Sequence, residues 1–171
     1  IFVFFSVLPD PKILDISCGT GELLKRWSGK ADLTGIDMAE KMLVEARKKL
    51  PQKVKLIRAD VHKLPFRKES FDYVLSTEAF HHYYKQKQAL EEMSRVTKRD
   101  GKIIIVDINF FFRFIHFLFE KIEPGCVRVN SREEMKTLFT QVGLTNIVQK
   151  RIFLFAVMTI GIKNATSLKA P

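Results

Sequence analysis

The stretch "ILDISCGTGELLKRW", residues 13–27, constrains the fold more than any other part of the sequence. Apolar residues and an acid lead into Gly19 and Gly21, and a helical pattern follows. Glycine adopts positive φ without strain and has no Cβ, so a glycine pair lets the backbone turn sharply and approach a ligand closely. The free N–H groups of the following helix would face the same space. We therefore predict a ligand-binding loop, with a tight structural turn as the alternative.

Strand and helix patterns alternate along the first two thirds of the chain. Strands are predicted at residues 12–16, 32–36, 53–58, 71–76 and 102–107, and helices at residues 21–29, 39–50 and 86–97. Such alternation is typical of a parallel sheet covered by helices on both sides. A chain of 171 residues has the size of one domain. We expect a single domain over residues 1–171, with a frayed tail at 163–171.

The last third of the chain has a different pattern. "SREEMKTLFTQVG" begins with Ser131 and Glu134 at capping-box spacing and ends at Gly143, which favours a helix stop. Strand patterns follow at residues 144–149 and 152–162. The connection between them is too short for a parallel crossover, so these two strands are predicted to form an antiparallel hairpin.

Acidic side chains follow the first three predicted strands, at Asp15, Asp37 and Asp60. The carboxyl ends of parallel strands lie at one edge of a sheet, where ligands bind. Asp37 is placed to accept ribose hydroxyls, or alternatively to cap the next helix together with Glu40. Dinucleotide loops carry a third glycine where this chain has Leu24, and three carboxylates would repel a diphosphate. The crevice therefore favours a cationic ligand that carries a ribose.

Five motifs in order resemble the class I S-adenosylmethionine-dependent methyltransferases, in the broad subgroup of the ubiquinone and menaquinone methyltransferases. They are "LDISCGTGELL", "GIDMAEKML", "RADVHKLPF", "FDYVLSTEAFHHY" and "EEMSRVTKRDGKIIIVD". The resemblance covers residues 11–162. It implies an α/β, Rossmann-like three-layer sandwich with a mostly parallel seven-stranded sheet in the order 3-2-1-4-5-7-6. It also implies an antiparallel C-terminal hairpin and S-adenosylmethionine as the cofactor.

The resemblance assigns cofactor contacts to residues that follow the first four strands. Those implied to hold the methionine moiety are Asp15, Ser17, Cys18, Gly19, Thr20, Gly21, Ser76 and Thr77. Those implied to hold the adenosine are Asp37 at the ribose, Met38 beside the adenine, Asp60 at the adenine amino group and the Val61 N–H at a ring nitrogen. No metal site is expected. The resemblance is incomplete at Ser17, where many relatives carry a further glycine. Relatives also usually begin with helices that cover the cofactor, so we expect that lid segment to be missing here, with an unusually open site as the alternative.

Candidate catalytic residues come directly after the fourth strand, in "AFHHYY". His81 or His82 could act as a general base near neutral pH, which is needed only when the methyl acceptor must lose a proton. Tyr83 and Tyr84 could orient a substrate. The alternative is that these residues begin a helix and have half-buried rings.

"INFFFRFIHFLFEK", residues 108–121, reads as a helix that is apolar nearly all round. It is too short and too interrupted to span a bilayer, and no transmembrane segment is expected. As a substrate wall it would favour an apolar acceptor, such as a prenylated quinone precursor or another lipid. Core packing or a dimer contact is the alternative.

Charge and cysteine content narrow the remaining function classes. The net charge is +10, but the lysines are scattered, which fits a solvated basic surface or an anionic partner. Cys18 and Cys126 lie in no zinc or disulfide pattern, so a cytoplasmic location is expected. The favoured function is a methyltransferase for a small-molecule acceptor. The alternatives are a tRNA or protein methyltransferase, and a cofactor-binding regulatory protein without catalysis.

Overall fold

The computed structural model describes residues 9–164. Its strands are β1 (Lys12–Ile16), β2 (Asp32–Asp37), β3 (Lys55–Arg58), β4 (Phe71–Thr77), β5 (Thr97–Ile108), β6 (Leu144–Phe153) and β7 (Ala156–Lys163). Its α-helices are α1 (Glu22–Trp27), α2 (Glu40–Lys49), α3 (Gln86–Val96), α4 (Arg113–Ile122) and α5 (Arg132–Gln141). One 3₁₀ turn, Phe80–His82, follows β4. The apolar segment 1–8 and most of the predicted tail lie outside the described residues.

The strands form one sheet in the order β3-β2-β1-β4-β5-β7-β6. The first five strands are parallel, whereas β7 is antiparallel to both β5 and β6. This confirms the predicted order and the C-terminal hairpin, whose strands are joined by residues 154–155 alone. The Rossmann-like α/β class is thereby confirmed.

Two apolar layers cover the sheet because its central strands are apolar on both faces. Ile13 of β1 packs in one core cluster with α1 and α2, and its neighbour Leu14 packs in the other with α3 and α5. Gly35 of β2 permits the close approach of α1, since a Cβ there would lie 2.6 Å from Leu24 Cδ1. The helices therefore fix the strand ends from both sides.

Several element bounds differ from the sequence-based prediction. β5 begins at Thr97, five residues before the predicted start. Thr97 already pairs with Phe71 of β4, and the pairing resumes at Lys102 and Tyr73 after a bulge. α1 is shorter than predicted, with Gly21 in left-handed conformation before it and Ser28 after it. The phenylalanine-rich helix begins at Arg113 and not at residue 108, because β5 continues through Ile108.

The predicted capping box of α5 is present. Ser131 Oγ accepts a hydrogen bond from the Glu134 N–H, and Glu134 Oε2 accepts one from the Ser131 N–H. Burial opposes ionisation of Glu134, but the Ser131 N–H and the Arg128 guanidinium hold its pKa at about 2. None of the helices in residues 9–164 has the length and apolar character needed to cross a bilayer.

Candidate active site

The sheet register brings the predicted site residues to one edge. Asp15 of β1 lies level with Gly35 of β2 and Leu75 of β4, and Ile16 lies level with Ser76. The loop after β1 therefore faces the ends of β2 and β4. This is the crevice in which an open α/β sheet binds its ligands.

The backbone N–H groups of the glycine loop are largely used within the protein. The Cys18 N–H donates to the Ile36 carbonyl, and the Gly21 N–H donates to the Cys18 carbonyl, both at 2.9 Å. The Gly19 N–H donates to Asp37 Oδ2, also at 2.9 Å. The N–H groups of Cys18, Gly19 and Gly21 are therefore already bonded within the protein, and α1, whose free N–H groups we expected to face the ligand, has only six residues and adds little dipole. The loop instead positions carboxylates, which suits a cationic ligand.

The two glycines of the loop have different roles. Both have positive φ, +54° at Gly19 and +79° at Gly21. A Cβ on Gly19 would meet nothing within 4 Å, so this residue borders open space. A Cβ on Gly21 would lie 2.7 Å from Leu50 Cδ1, so this glycine is required by packing against α2. The alternative of a tight structural turn therefore describes Gly21, and Gly19 is the glycine that a ligand can approach.

Ser17 also adopts a positive φ, 58°. Left-handed backbone is unfavourable for a residue with a Cβ, so Ser17 holds a strained conformation that glycine would adopt without strain. The Ser17 Oγ lies 3.0 Å from the Tyr83 hydroxyl, and the same hydroxyl lies 2.9 Å from Ser76 Oγ. Tyr83 is buried, and that burial raises the pKa of its hydroxyl. Tyr83 therefore joins the ends of β1 and β4. This burial does not fit the expectation that Tyr83 orients a substrate at the mouth of the crevice.

Asp37 bonds to the turn before α2 but is not the cap of that helix, and its contact with the ribose stays a prediction. Besides the Gly19 N–H, its carboxylate accepts the Ala39 N–H at 2.8 Å and so stabilises the turn into α2. Glu40 forms an ion pair with Arg47 and makes no capping box. A half-buried carboxylate has further lone pairs available, so Asp37 can still accept hydroxyl groups. Met38 beside it is 59% exposed, where a flat ring could pack.

Asp15 is a buried carboxylate with an unsatisfied oxygen. It is 1% exposed, and its Oδ1 has no hydrogen-bond partner among the described residues. Burial, with a smaller contribution from the charge of Asp37, raises the pKa of Asp15 to about 7. A positive group placed here would restore the ionised form and satisfy this oxygen. The residues present therefore fit the sulfonium and amino groups of S-adenosylmethionine.

Asp60 is already engaged by its neighbours. Its Oδ1 accepts the His62 N–H at 2.9 Å and lies 2.6 Å from His62 Nδ1, and its Oδ2 accepts the Tyr84 hydroxyl at 3.2 Å. Burial opposes ionisation of Asp60, but these bonds from His62 lower its pKa below the usual value. The Val61 side chain is buried in the core. An adenine contact at Asp60 and Val61 stays a prediction.

The remaining predicted cofactor residues lie around the same loop. Cys18 is buried, and this burial raises the pKa of its thiol. Thr20 is half-buried, and its Oγ1 accepts a hydrogen bond from Lys49 at 3.2 Å. Thr77 is half-buried at the end of β4, level with Val106 of β5. Residues 9–164 contain no cluster of three or more His, Cys, Asp or Glu side chains that could hold a metal ion.

The two candidate histidines have different environments. His81 is 3% exposed, and its Nδ1 lies 2.6 Å from Oδ1 of Asp107, which is also buried. With Nδ1–H donating to the carboxylate, Nε2 of a neutral His81 is left free to accept a proton. His82 is exposed and lies 2.9 Å from the Gly125 carbonyl through its Nδ1. The structure therefore favours His81 over His82 as a base.

Asp107 is the residue that sequence reasoning missed. Its Oδ1 holds His81, and its Oδ2 is buried without a hydrogen-bond partner among the described residues. The signal was available, because Asp107 ends the predicted strand 102–107 in the way that Asp15 and Asp37 end theirs. Only its partner could not be foreseen.

The comparisons with known proteins agree with this geometry. The model of the methyltransferase domain family matches residues 14–105, more than half of the chain. The demethylmenaquinone methyltransferase of Staphylococcus aureus is 29% identical, over 92% of this chain and 78% of its own length.

Solved structures share the fold. The YcgJ protein of Bacillus subtilis superposes with a TM-score of 0.80 at 20% identity, over 93% of this chain and 94% of its own. Phosphoethanolamine N-methyltransferase 2 of Haemonchus contortus, solved with S-adenosyl-L-methionine, gives a TM-score of 0.80 at 15% identity. That alignment covers 95% of this chain and 50% of the other. The matched family model, the carboxylate-lined crevice and the shared fold agree. The chain belongs to the class I S-adenosylmethionine-dependent methyltransferases, and S-adenosylmethionine is its cofactor.

Proposed function

We propose that this enzyme methylates a small acceptor with an apolar body, and that His81 removes the proton which the acceptor must lose. The observation that carries the proposal is the buried His81–Asp107 pair at the carboxyl edge of the sheet. Thr77, a predicted cofactor contact, ends β4 level with Val106 of β5, and Asp107 follows Val106 one residue before the end of β5. A base there would face the cofactor end of the crevice.

Several contacts hold His81 in place. Asp107 fixes the tautomer through Nδ1, and the His81 carbonyl accepts the N–H groups of Val127 and Arg128 at 2.8 and 3.1 Å. The edge of Phe119, on α4, packs against the imidazole with ring centroids 6.2 Å apart. An oriented imidazole near neutral pH is the usual general base for a hydroxyl, an amine or a weakly acidic carbon.

The apolar character of the acceptor is inferred from α4. The exposed apolar side chains of α4 and of the two residues before it lie beside those of the β6–β7 turn and of the last residue of β6. Together they form a surface that we call the apolar face. Its members are Phe111, Phe112, Phe114, Ile115, Phe117, Leu118, Ile122, Phe153, Leu154 and Phe155. The name of the Staphylococcus aureus relative indicates a quinone-type acceptor, which has an aromatic head and an apolar tail.

The cofactor contacts are proposed from the same geometry. Bound S-adenosylmethionine supplies an electrophilic methyl group on a positively charged sulfur. Asp15 and the open Gly19 would hold its methionine end above Ser17, Cys18, Thr20, Gly21, Ser76 and Thr77. Asp37 would accept the ribose hydroxyls, with Met38, Asp60 and Val61 at the adenine. The protein mainly aligns the reactants and excludes water.

The net charge of +10 favours a second candidate, a methyltransferase that acts on tRNA or another anionic macromolecule.

We also propose that residues 1–171 form a single domain and that the enzyme is cytoplasmic. The free thiols of Cys18 and Cys126 support a reducing compartment.

The test is a comparison of acceptors with methyl-labelled S-adenosylmethionine. Demethylmenaquinone with short and long prenyl chains, simple phenols, nucleosides and unmodified tRNA are each incubated with the enzyme. We expect label in the prenylated and phenolic acceptors, increasing with apolar surface. Label in tRNA, with none in the apolar acceptors, would select the second candidate. Cofactor binding with no label in any acceptor would support a regulatory protein without catalysis.

A further inference from the structure

Helix α4 has inverted amphipathicity. Its one buried residue is His116, whose Nε2 lies 3.0 Å from both the amide nitrogen and the carbonyl oxygen of Phe110. Glu120 also faces inward, since its Oε1 accepts the Val129 N–H at 2.8 Å. Phe114, by contrast, is 72% exposed. A helix on the surface of a globular domain normally turns its apolar side toward the core.

The turn between β6 and β7 is unusual in the same way. Two-residue hairpin turns normally contain glycine, asparagine or aspartate. Here the turn residues are Leu154 and Phe155, which are exposed, and Phe153 before them is 79% exposed. Neither the turn geometry nor the core of the described residues requires these side chains.

The helix and the turn form one continuous surface. The Phe110 ring lies between them, with centroids 5.4 Å from Phe155 and 5.3 Å from Phe119. Arg151 connects them as well, because its guanidinium lies 4.2 Å from the centroid of Phe111 and donates to the Leu154 carbonyl. The apolar face contains ten of the sixteen large apolar side chains that are exposed within residues 9–164. Contiguous patches of this kind mark interaction sites.

Cations border the apolar face. Arg151 covers Phe111, and Lys121 Nζ lies 5.6 Å from the centroid of the Phe117 ring. Arg113, at the start of α4, lies 3.6 Å from Glu134 Oε1, and its side chain is still 79% exposed. The one acid of α4, Glu120, is turned inward. Aromatic side chains flanked by exposed lysine and arginine are typical of a helix that lies in a membrane interface.

We propose that the apolar face docks this enzyme on an anionic phospholipid surface, with α4 parallel to the membrane and the β6–β7 turn inserted beside it. Charge complementarity selects this occupant over a second copy of the chain. A symmetric dimer through the apolar face would bring two copies of its cationic border, Arg113, Lys121 and Arg151, into one interface between two molecules of net charge +10. An anionic lipid surface attracts the same cations. The apolar acceptor proposed above is inferred from the same face, but docking is a separate property, since it needs neither acceptor nor cofactor.

The experiment is co-sedimentation of the full chain with sucrose-loaded vesicles, without cofactor or acceptor. The vesicles consist of phosphatidylcholine alone, or of phosphatidylcholine mixed with phosphatidylglycerol. The variants are Phe114→Ser/Phe117→Ser in the apolar face and Lys121→Gln/Arg113→Gln at its border. The matched control is Met42→Ser/Val44→Ser, which removes two exposed apolar side chains from α2. Thermal unfolding and S-adenosylmethionine affinity verify that each variant is folded, and Leu154→Ser replaces the phenylalanine variant if it is not.

We expect the wild type and the α2 control to bind the phosphatidylglycerol vesicles, and added salt to weaken that binding. Removing two exposed phenylalanines should weaken it by more than about tenfold, because each inserted ring removes a large apolar area from water. The charge variant should lose most of its preference for the anionic vesicles.

Two results would overturn the proposal. One is vesicle binding that is absent, or unchanged in the phenylalanine variant. The other is a dimer in sedimentation equilibrium that becomes monomeric in that variant, which would assign the apolar face to a second copy. Because methyl transfer to dissolved acceptors is measured separately, a failure of docking does not count against the proposed reaction.

Discussion

The carboxylate of Asp37 accepts a hydrogen bond from the backbone N–H of Gly19 at 2.9 Å. This bond joins the end of β2 to the loop after β1, so the ribose-binding candidate also shapes the loop that would hold the methionine moiety. A substitution at Asp37 should therefore affect both ends of the cofactor.

Asp37→Ala should weaken S-adenosylmethionine binding by about 1.5–3 kcal/mol, the usual worth of hydrogen bonds to a charged group. Asp37→Asn should lose less, because its amide oxygen can still accept the Gly19 N–H. Calorimetry measures both, and NAD should bind far more weakly than S-adenosylmethionine to the wild type. Asp32→Ala is the control, since Asp32 lies at the opposite end of β2. Unchanged affinity in Asp37→Ala would refute the ribose assignment.

Cofactor binding should release a proton from Asp15. Burial raises the pKa of Asp15 to about 7 in the folded protein, above its value in the unfolded chain. Protonated Asp15 therefore contributes stability to the cofactor-free protein at low pH, and this is lost as the pH rises toward 7. A cationic cofactor favours the ionised form, so its affinity should rise with pH up to about 7.

Calorimetry at about pH 6 in buffers of different ionisation enthalpy counts the protons, and close to one should be released. Asp15→Asn should release none, and its affinity should be flat with pH over the same range. Proton uptake by the wild type would contradict the assignment of Asp15 to the cofactor.

The two loop glycines should respond differently to valine. Gly19→Val places its side chain in open space, so its only cost to the fold is the strain of a Cβ at φ +54°, and the protein should stay folded while cofactor binding is lost. Gly21→Val collides with Leu50, so it should lower the unfolding temperature itself. Thermal unfolding and calorimetry separate the two effects. Native stability with normal cofactor affinity in Gly19→Val would show that Gly19 only shapes the turn.

Much of this arrangement could be predicted from the sequence because it depends on local rules. Strand ends placed Asp15 and Asp37 at one edge, and a short connection required the β6–β7 hairpin. The pairing of His81 with Asp107 could not be predicted, since it depends on how the chain after β4 packs against β5. The exposure of α4 could not be predicted either, because the rule that the apolar side of a helix packs on the core would have turned its phenylalanines inward.

The most direct test of the proposed chemistry is the rate of methyl transfer in His81→Gln. Glutamine can hydrogen-bond to Asp107 but cannot take a proton, so it isolates the role of His81 as a base. We expect unchanged affinity for S-adenosylmethionine and a rate of transfer to an apolar acceptor lowered by about 10²–10⁴-fold. The exposed His82→Gln is the matched control and should retain most of the rate. A His81→Gln enzyme that transfers the methyl group as fast as the wild type at every pH would contradict the account.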